Sequence, residues 1–228
     1  MADERKKINT KRPFKDYELY VFDLDGTLYF QKELRLIMAG RLLGYYICHP
    51  FSVKELLIVK KFREVRDGWS DLSGDVDKKQ YMAVAKAFNT DAVAVEKVIR
   101  RWIYVNPLDA VAKSKDKKLI EVIEKLHELG KRVVIFSDYP TEDKLKALGV
   151  RADGQYCSSD NAIGALKPSG RGLKVIMNDF STDNKDVIMV GDRLEKDGMS
   201  AADAGCDYLI LERGRKKRSM QYDLMALK

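Results

Sequence analysis

The sequence predicts an α/β protein: a doubly wound, mostly parallel, Rossmann-like sheet interrupted once by an all-helical insert. Two patterns carry that reading. Short β-branched and aromatic runs alternate with amphipathic helical stretches, the pattern of a parallel sheet covered on both faces. Between residues 31 and 105 the alternation stops, and only helical patterns occur.

The strand-like runs are LYVF from Leu19, KRVVIFS over residues 131–137, DVIMVG over 186–191 and DYLIL over 207–211, with a weaker candidate over 155–158. Each is short, apolar and bounded by turn or polar residues, as expected of a strand buried on both faces. Helical periodicity fills residues 117–129, 141–148, 169–178 and 194–204. In the insert, helical stretches over 33–47, 53–65, 77–88 and 91–104 are broken at His49-Pro50, from Asp67-Gly68 through Ser73-Gly74, and at Asn89-Thr90. Short connections suit antiparallel helices that share one seam, where Leu42, Leu43, Tyr45, Tyr46 and Ile47 are expected. The expected organisation is an α/β core of residues 1–30 and 106–228 and a helical unit of residues 31–105.

A chain of 228 residues, 45% apolar and 34% charged, can build a real core and is neither disordered nor collagen-like in composition. Its longest mostly apolar stretch, residues 36–48, is interrupted by Arg41 and is too short to cross a bilayer. The charged start MADERKK has no apolar segment behind it of the kind a secretion signal needs. Cys48, Cys157 and Cys206 are far apart with no CxxC spacing, which indicates neither a disulfide framework nor a zinc site and fits a reducing cytoplasm. The net charge of +7 is concentrated in residues 4–15 and 212–218, leaving the rest of the chain slightly acidic. Solvated basic tails are therefore expected rather than a nucleic-acid-binding face.

Four strand ends or loops each present a polar residue of a particular kind. The first run ends in Asp23-Leu-Asp25-Gly-Thr. Alternate residues of a strand face the same way, but the turn at Gly26 lets one carboxylate meet a substrate while the other approaches from the side. The KRVVIF run ends in Ser137-Asp138, where a hydroxyl and backbone N–H groups can hold an anionic oxygen. Lys167 lies in Ala165-Leu-Lys-Pro, with Pro168 expected in the first turn of the next helix. Asp192 and Asp197 follow Gly191 at the end of a fourth run, and magnesium prefers one or two carboxylates together with phosphate oxygens and waters. Singly, each has a structural explanation as a turn, a cap or a solvated lysine. Together, in the order Asp pair, Ser, Lys, Asp pair, they describe a magnesium-dependent phosphoryl-transfer site.

In these motifs the chain resembles the haloacid dehalogenase-like (HAD) hydrolase superfamily. Its DxDGT motif, strand ending in Ser or Thr, lysine and GDxxxxD motif are matched by Asp23 to Thr27, Ser137, Lys167 and Asp192 to Asp197, within a resemblance running from about Tyr17 to Leu211. The resemblance implies that residues 31–105 are a cap placed between the first and second motifs. It further implies that Asp23 is the nucleophile, that Asp25 acts as acid and then base, and that Ser137 and Lys167 bind phosphate. Magnesium would be held by Asp23, the backbone carbonyl of Asp25 and Asp192, with Asp197 in support. A general acid needs a pKa above the ordinary carboxylate value of about 3.9, so the surroundings of Asp25 are expected to raise it. The chain departs from many members in having Asp138 rather than Asn after Ser137. A carboxylate beside a phosphate is unfavourable, so Asp138 is expected to turn away or to meet a cation.

The expected function is thus a cytoplasmic, magnesium-dependent phosphatase acting on a small phosphorylated metabolite or a lipid phosphate. Dehalogenation is disfavoured, because the members that perform it lack the second aspartate. Two alternatives stay open. A phosphomutase would use the same residues and return the phosphoryl group to a sugar. A binding or regulatory protein at an anionic membrane surface or nucleic acid would use the basic ends and residues 33–67, where seven basic residues face four acidic ones. The intact aspartates argue for catalysis.

Overall fold

A computed structural model describes residues 8–69 and 75–225. Its sheet has six strands: β1 (Ile8–Asn9), β2 (Leu19–Phe22), β3 (Arg132–Ser137), β4 (Gly154–Cys157), β5 (Val187–Gly191) and β6 (Asp207–Ile210), in the order β1-β6-β5-β2-β3-β4. All pairings are parallel except that of β1 with β6. The chain leaves β2 toward β3 and β4 on one side and returns to β5 and β6 on the other. The carboxyl end of β2 is therefore the switch point of the sheet, where open α/β folds place their ligands.

Every strand-like run in the sequence is a strand; β2, β3 and β5 are buried on both faces, whereas β4, the weaker candidate, is a half-exposed edge strand. In β2, Tyr20 and Phe22 join one core with Leu119, Ile123, Leu126, Leu145 and Leu148, while Leu19 and Val21 join the other with Leu173, Ile176, Ala201 and Ala204. The first set comes from α6 (Lys117–Glu128) and α7 (Glu142–Leu148), the second from α8 (Arg171–Asp179) and α9 (Met199–Ala204). The stretch predicted as one helix over 194–204 is a π-type turn over Leu194–Gly198 followed by α9. Pro168 does not open a helix, since α8 begins at Arg171.

The strand missed in sequence is β1, and with it the expectation of a solvated amino-terminal tail fails from Ile8 onward. Lys11 donates its backbone N–H to Asp207 Oδ2 at 2.7 Å, Arg12 reaches Asp186 Oδ1 at 2.8 Å, and Phe14 is buried. A two-residue strand is too short to show a period, so nothing in the pattern marks it. Arg5, Lys6 and Lys7 lie outside the described residues.

The insert is helical among its described residues: α1 (Gln31–Cys48), α2 (Val53–Asp67), α3 (Val76–Ala87) and α4 (Ala92–Ile99), the last continuing as wider π-type turns over Arg100–Val105. The break at Ser73-Gly74 lies outside the described residues. Asp75 caps α3 and Asp91 caps α4, each accepting a backbone N–H of the first turn. The shared seam is built by Ile58, Phe62, Val84, Val95, Ile99 and Trp102. Of the residues expected there, Leu42 and Tyr45 pack against it, whereas Leu43 and Ile47 are 66% and 73% exposed. The sequence places apolar residues almost all round α1, and adjacency alone cannot say which face turns inward.

Two crossing segments run side by side between insert and sheet. Phe30 donates its N–H to Ser114 O at 2.8 Å, and Asp116 donates to Leu28 O at 2.9 Å. A short helix, α5 (Leu108–Lys113), precedes the second crossing and packs on α1 and α7. No described helix is long and apolar enough to cross a membrane.

Candidate active site

Three adjacent strands deliver the motifs to one place. Asp23 follows β2 and continues its ladder, donating its N–H to Val190 O at 2.8 Å; Ser137 ends β3; Asp192 follows β5. Lys167 arrives on the loop before α8, and its ammonium donates to Asp23 Oδ1 at 2.6 Å and Asp197 Oδ1 at 2.7 Å. All five residues are buried, Lys167 to 3% exposure and Asp197 to 1%. The structure thus brings Asp23, Ser137, Lys167, Asp192 and Asp197 together with Asp25.

Burial and the neighbouring carboxylates decide the charge states. Burial pushes the Asp23 carboxyl up, Lys167 opposes it, and Asp197 and Asp192 add to the rise, so Asp23 ends well above the ordinary carboxylate range. Asp192 is pushed up to about 6 by burial and by Asp197, against Arg213. Burial works against the charge on Lys167, but Asp197 and Asp23 outweigh it and hold the lysine protonated. One ammonium is thus set against three crowded carboxylates.

That crowding has the chemistry of a divalent-cation site. One oxygen from each of Asp23, Asp192 and Asp197 lies within 4.8 Å of the other two. Asp192 Oδ1 is buried without a hydrogen-bond partner, the kind of group an ion satisfies. Both oxygens of Asp197 are engaged, by Lys167 Nζ and by the Arg193 N–H at 3.0 Å, and so are both of Asp23, by Lys167 Nζ and by the Thr27 hydroxyl at 2.9 Å, so the unpartnered Asp192 Oδ1 is the oxygen most open to an ion. Hard oxygen donors suit magnesium. Space is reserved as well: Gly26 has a φ of +98°, and a Cβ there would lie 2.8 Å from Asp192 Oδ2.

Asp25 differs from expectation. Its carboxylate receives Lys144 Nζ at 2.5 Å, Ser137 Oγ at 3.1 Å and the Tyr29 hydroxyl. Burial alone would raise its pKa, but Lys144, Tyr29 and Ser137 together hold it below the ordinary value. The resting site therefore presents Asp25 as a carboxylate, not as the poised acid the sequence suggested. Asp138 behaves as expected. It still lines the cleft but meets a cation there, with Lys196 Nζ 3.7 Å away, and accepts from Ser158 Oγ at 2.6 Å and the Lys167 N–H at 3.0 Å.

Four site residues escaped the sequence reading. Lys144 carries a signal in hindsight, since it lies four residues before the buried Leu148 on the inward face of α7, an unusual place for a lysine. Tyr29 had none beyond its nearness to Asp25. Arg213 and Arg218 belong to the basic segment read as a solvated tail; the structure overturns that reading for Arg218, while Arg213 stays exposed but pairs with a site carboxylate. Arg218, fully buried in α10 (Arg215–Ser219), donates to Gly26 O and Thr27 O at 2.8 Å and to Asp116 Oδ2 at 3.1 Å, fixing the turn that aims Asp25. Arg213 Nε donates to Asp192 Oδ2 at 3.0 Å. Their partners are backbone carbonyls and two aspartates remote in the chain, Asp116 and Asp192, which no local pattern discloses.

Above the strand ends lies a 390 Å³ cavity, within the range of small-molecule sites. Asp25, Tyr29, Lys144 and Lys196 line it from the sheet, and α1 and α2 line it from the insert.

Comparison with known proteins decides the family, because a model of haloacid dehalogenase-like hydrolases matches residues 17–205. The chain belongs to that hydrolase family. A search of curated proteins finds no match. Among solved structures, this hydrolase is similar to the HAD-hydrolase YfnB from Bacillus subtilis, described as bound to magnesium, with a TM-score of 0.63, 15% identity, and coverage of 93% of this chain and all of that one. It is also similar to a HAD phosphatase from Thermococcus onnurineus (TM-score 0.58, 20% identity, 87% of each chain) and to a 2-haloacid dehalogenase from Pseudomonas syringae (0.56, 15%, 86% of each). At these identities the likeness speaks to the hydrolase's fold and leaves its reaction open.

Proposed function

We propose that this hydrolase is a magnesium-dependent phosphatase that cleaves a phosphate monoester through an aspartyl-phosphate on Asp23. One observation carries the reading: a second carboxylate, Asp25, faces the cavity beside Asp23 and is hydrogen-bonded to the Ser137 hydroxyl. Attack on an alkyl halide needs no proton donor, whereas an alkoxide leaving a phosphate does.

In the first step an Asp23 oxygen bonds to phosphorus and the bond from phosphorus to the leaving oxygen breaks, with the proton from the Asp25 carboxyl going to the alkoxide. In the second, the Asp25 carboxylate takes a proton from water as that water attacks phosphorus and frees Asp23. Lys167 and Ser137 hold phosphate oxygens. Asp23, the Asp25 carbonyl and Asp192 would hold magnesium, which neutralises phosphate charge when bound, and Asp197 would position Lys167. The low pKa of resting Asp25 suits the second step. The first requires a proton, and a phosphate dianion favours one in two ways: it competes with Asp25 for Lys144 and Ser137, and it places negative charge beside the carboxylate. The helical unit of residues 31–105 acts as the cap that shapes the leaving-group cavity.

Phosphorus NMR of the products tests this reading against a phosphomutase. With sugar phosphates and other monoesters, in the presence of a bisphosphate activator, the expected product is free inorganic phosphate. Chelation abolishes its release and magnesium restores it. An isomeric sugar phosphate formed with little free phosphate would overturn hydrolysis, and full activity after chelation would remove Asp192 from its assigned role.

A further inference from the structure

The cavity has one polar end and one apolar end, and this polarity specifies the leaving group. From α1 the side chains lining it recur at helical spacing from Gln31 to Tyr46, and from α2 they recur from Leu56 to Asp67. The two helices run in opposite directions relative to the sheet. The start of α1 and the end of α2 lie at the strand ends, where Arg66 donates to the backbone carbonyl of Asp138 and Arg193 approaches Asp67. At this end the lining is Gln31, Leu34 and Arg35 on α1 with Arg63, Arg66 and Asp67 on α2, one leucine among five polar or charged side chains. Farther from the sheet it becomes Met38, Leu42 and Tyr46 on α1, Leu56 and Val59 on α2, and Trp102. Arg35 and Tyr46 are separated by about 16 Å along the helix axis, at 1.5 Å per residue.

The apolar end offers little to a hydroxylated ligand. The Trp102 indole N–H is already given to Glu55 Oε2 at 2.7 Å. The Tyr46 hydroxyl is buried without a hydrogen-bond partner. Among the described lining groups at that end it is the one free polar atom. A polyol placed there would leave several hydroxyls stripped of water and unpaired, a cost that an alkyl chain or a ring does not incur.

We propose that the substrate is the phosphate monoester of a hydrophobic alcohol, its phosphate at the strand ends and its carbon body between α1, α2 and Trp102. This rests on the phosphatase reading for the position of the phosphate, and the test separates the two. Binding of n-alkylphosphonates from ethyl to hexyl, which cannot be hydrolysed at the carbon to phosphorus bond, is measured by calorimetry with magnesium present. Affinity rises by about fourfold for each added methylene, the ratio expected for burying one CH₂. Ala39→Gln, at an exposed position on the cavity wall, and Leu42→Gln each lose more affinity for hexyl- than for ethylphosphonate. In the turnover arm, hexyl phosphate exceeds ethyl phosphate in kcat/KM, and glycerol 1-phosphate and hexose 6-phosphates fall below both. An affinity independent of chain length, or polyol phosphates turned over best, would overturn the proposal. Chain-length-dependent binding with no phosphate released from any monoester would instead sustain the apolar site and sink the phosphatase reading.

Discussion

Asp23→Asn is expected to lower phosphate release by about 10⁴-fold or more, the scale on which enzymes respond to loss of a covalent nucleophile. Asparagine keeps the size of the side chain and can still accept from Lys167, so the fold has no reason to change. Stability moves the other way. An ionised Asp23 sits among Asp192, Asp197 and Asp25, and its raised pKa means that its charge disfavours the folded state. A carboxyl with a raised folded-state pKa contributes stability at low pH that is lost as pH rises through that pKa. The metal-free wild type should therefore lose stability as pH rises through the raised values of Asp23 and Asp192, the latter about 6. Asp23→Asn should lose less over the same window. Thermal melts from pH 4 to pH 8 beside phosphate-release assays check both halves, and a folded variant with retained turnover would end the covalent mechanism.

Lys167→Met is expected to damage fold and activity together. Lys167 Nζ is within 2.7 Å of both Asp23 and Asp197 and is itself buried. Removing one partner from a buried ion pair costs about 3–5 kcal/mol, because the remaining charge is left without compensation. Here two carboxylates are left, and they respond by taking up protons, which removes the ionised form of Asp23 needed for attack. Urea unfolding should show the stability loss, and magnesium should narrow it by supplying the missing positive charge. Turnover in the folded, magnesium-loaded variant should stay down by about a hundredfold or more, the scale of losing one charge-stabilising donor. A variant as stable and as active as the wild type would show that Lys167 neutralises nothing of consequence.

The sheet was legible in the sequence because its central strands are buried on both faces, so LYVF, RVVIFS and VIMVG read as apolar runs whatever they pack against. Asp23, Ser137 and Asp192 were legible because they sit at strand ends, where the parallel sheet makes its cleft, while Lys167 and Asp197 were legible through their place in the motif order. What escaped depends on contacts between residues far apart in the chain. Arg218 looked like part of a solvated basic tail, yet it is fully buried on the carbonyls of Gly26 and Thr27, some 190 residues earlier. Lys144 meets Asp25 only because α7 begins directly above β3, and that meeting reverses the direction expected for the Asp25 pKa. Leu43 and Ile47 were expected in the seam of the insert together with Leu42 and Tyr45, but a helix turns adjacent residues to different sides, and these two face outward.

Phosphate release and dehalogenation by this hydrolase are told apart by setting the two reactions side by side. The purified chain, with magnesium, is given a phosphate monoester in one reaction and a 2-haloacid in another, and free phosphate and free halide are measured. With Asp25 lining the cavity next to the buried Asp23, the expected outcome is phosphate release that is lost on chelation, and no halide. Halide release, with no phosphate from any monoester, would contradict it.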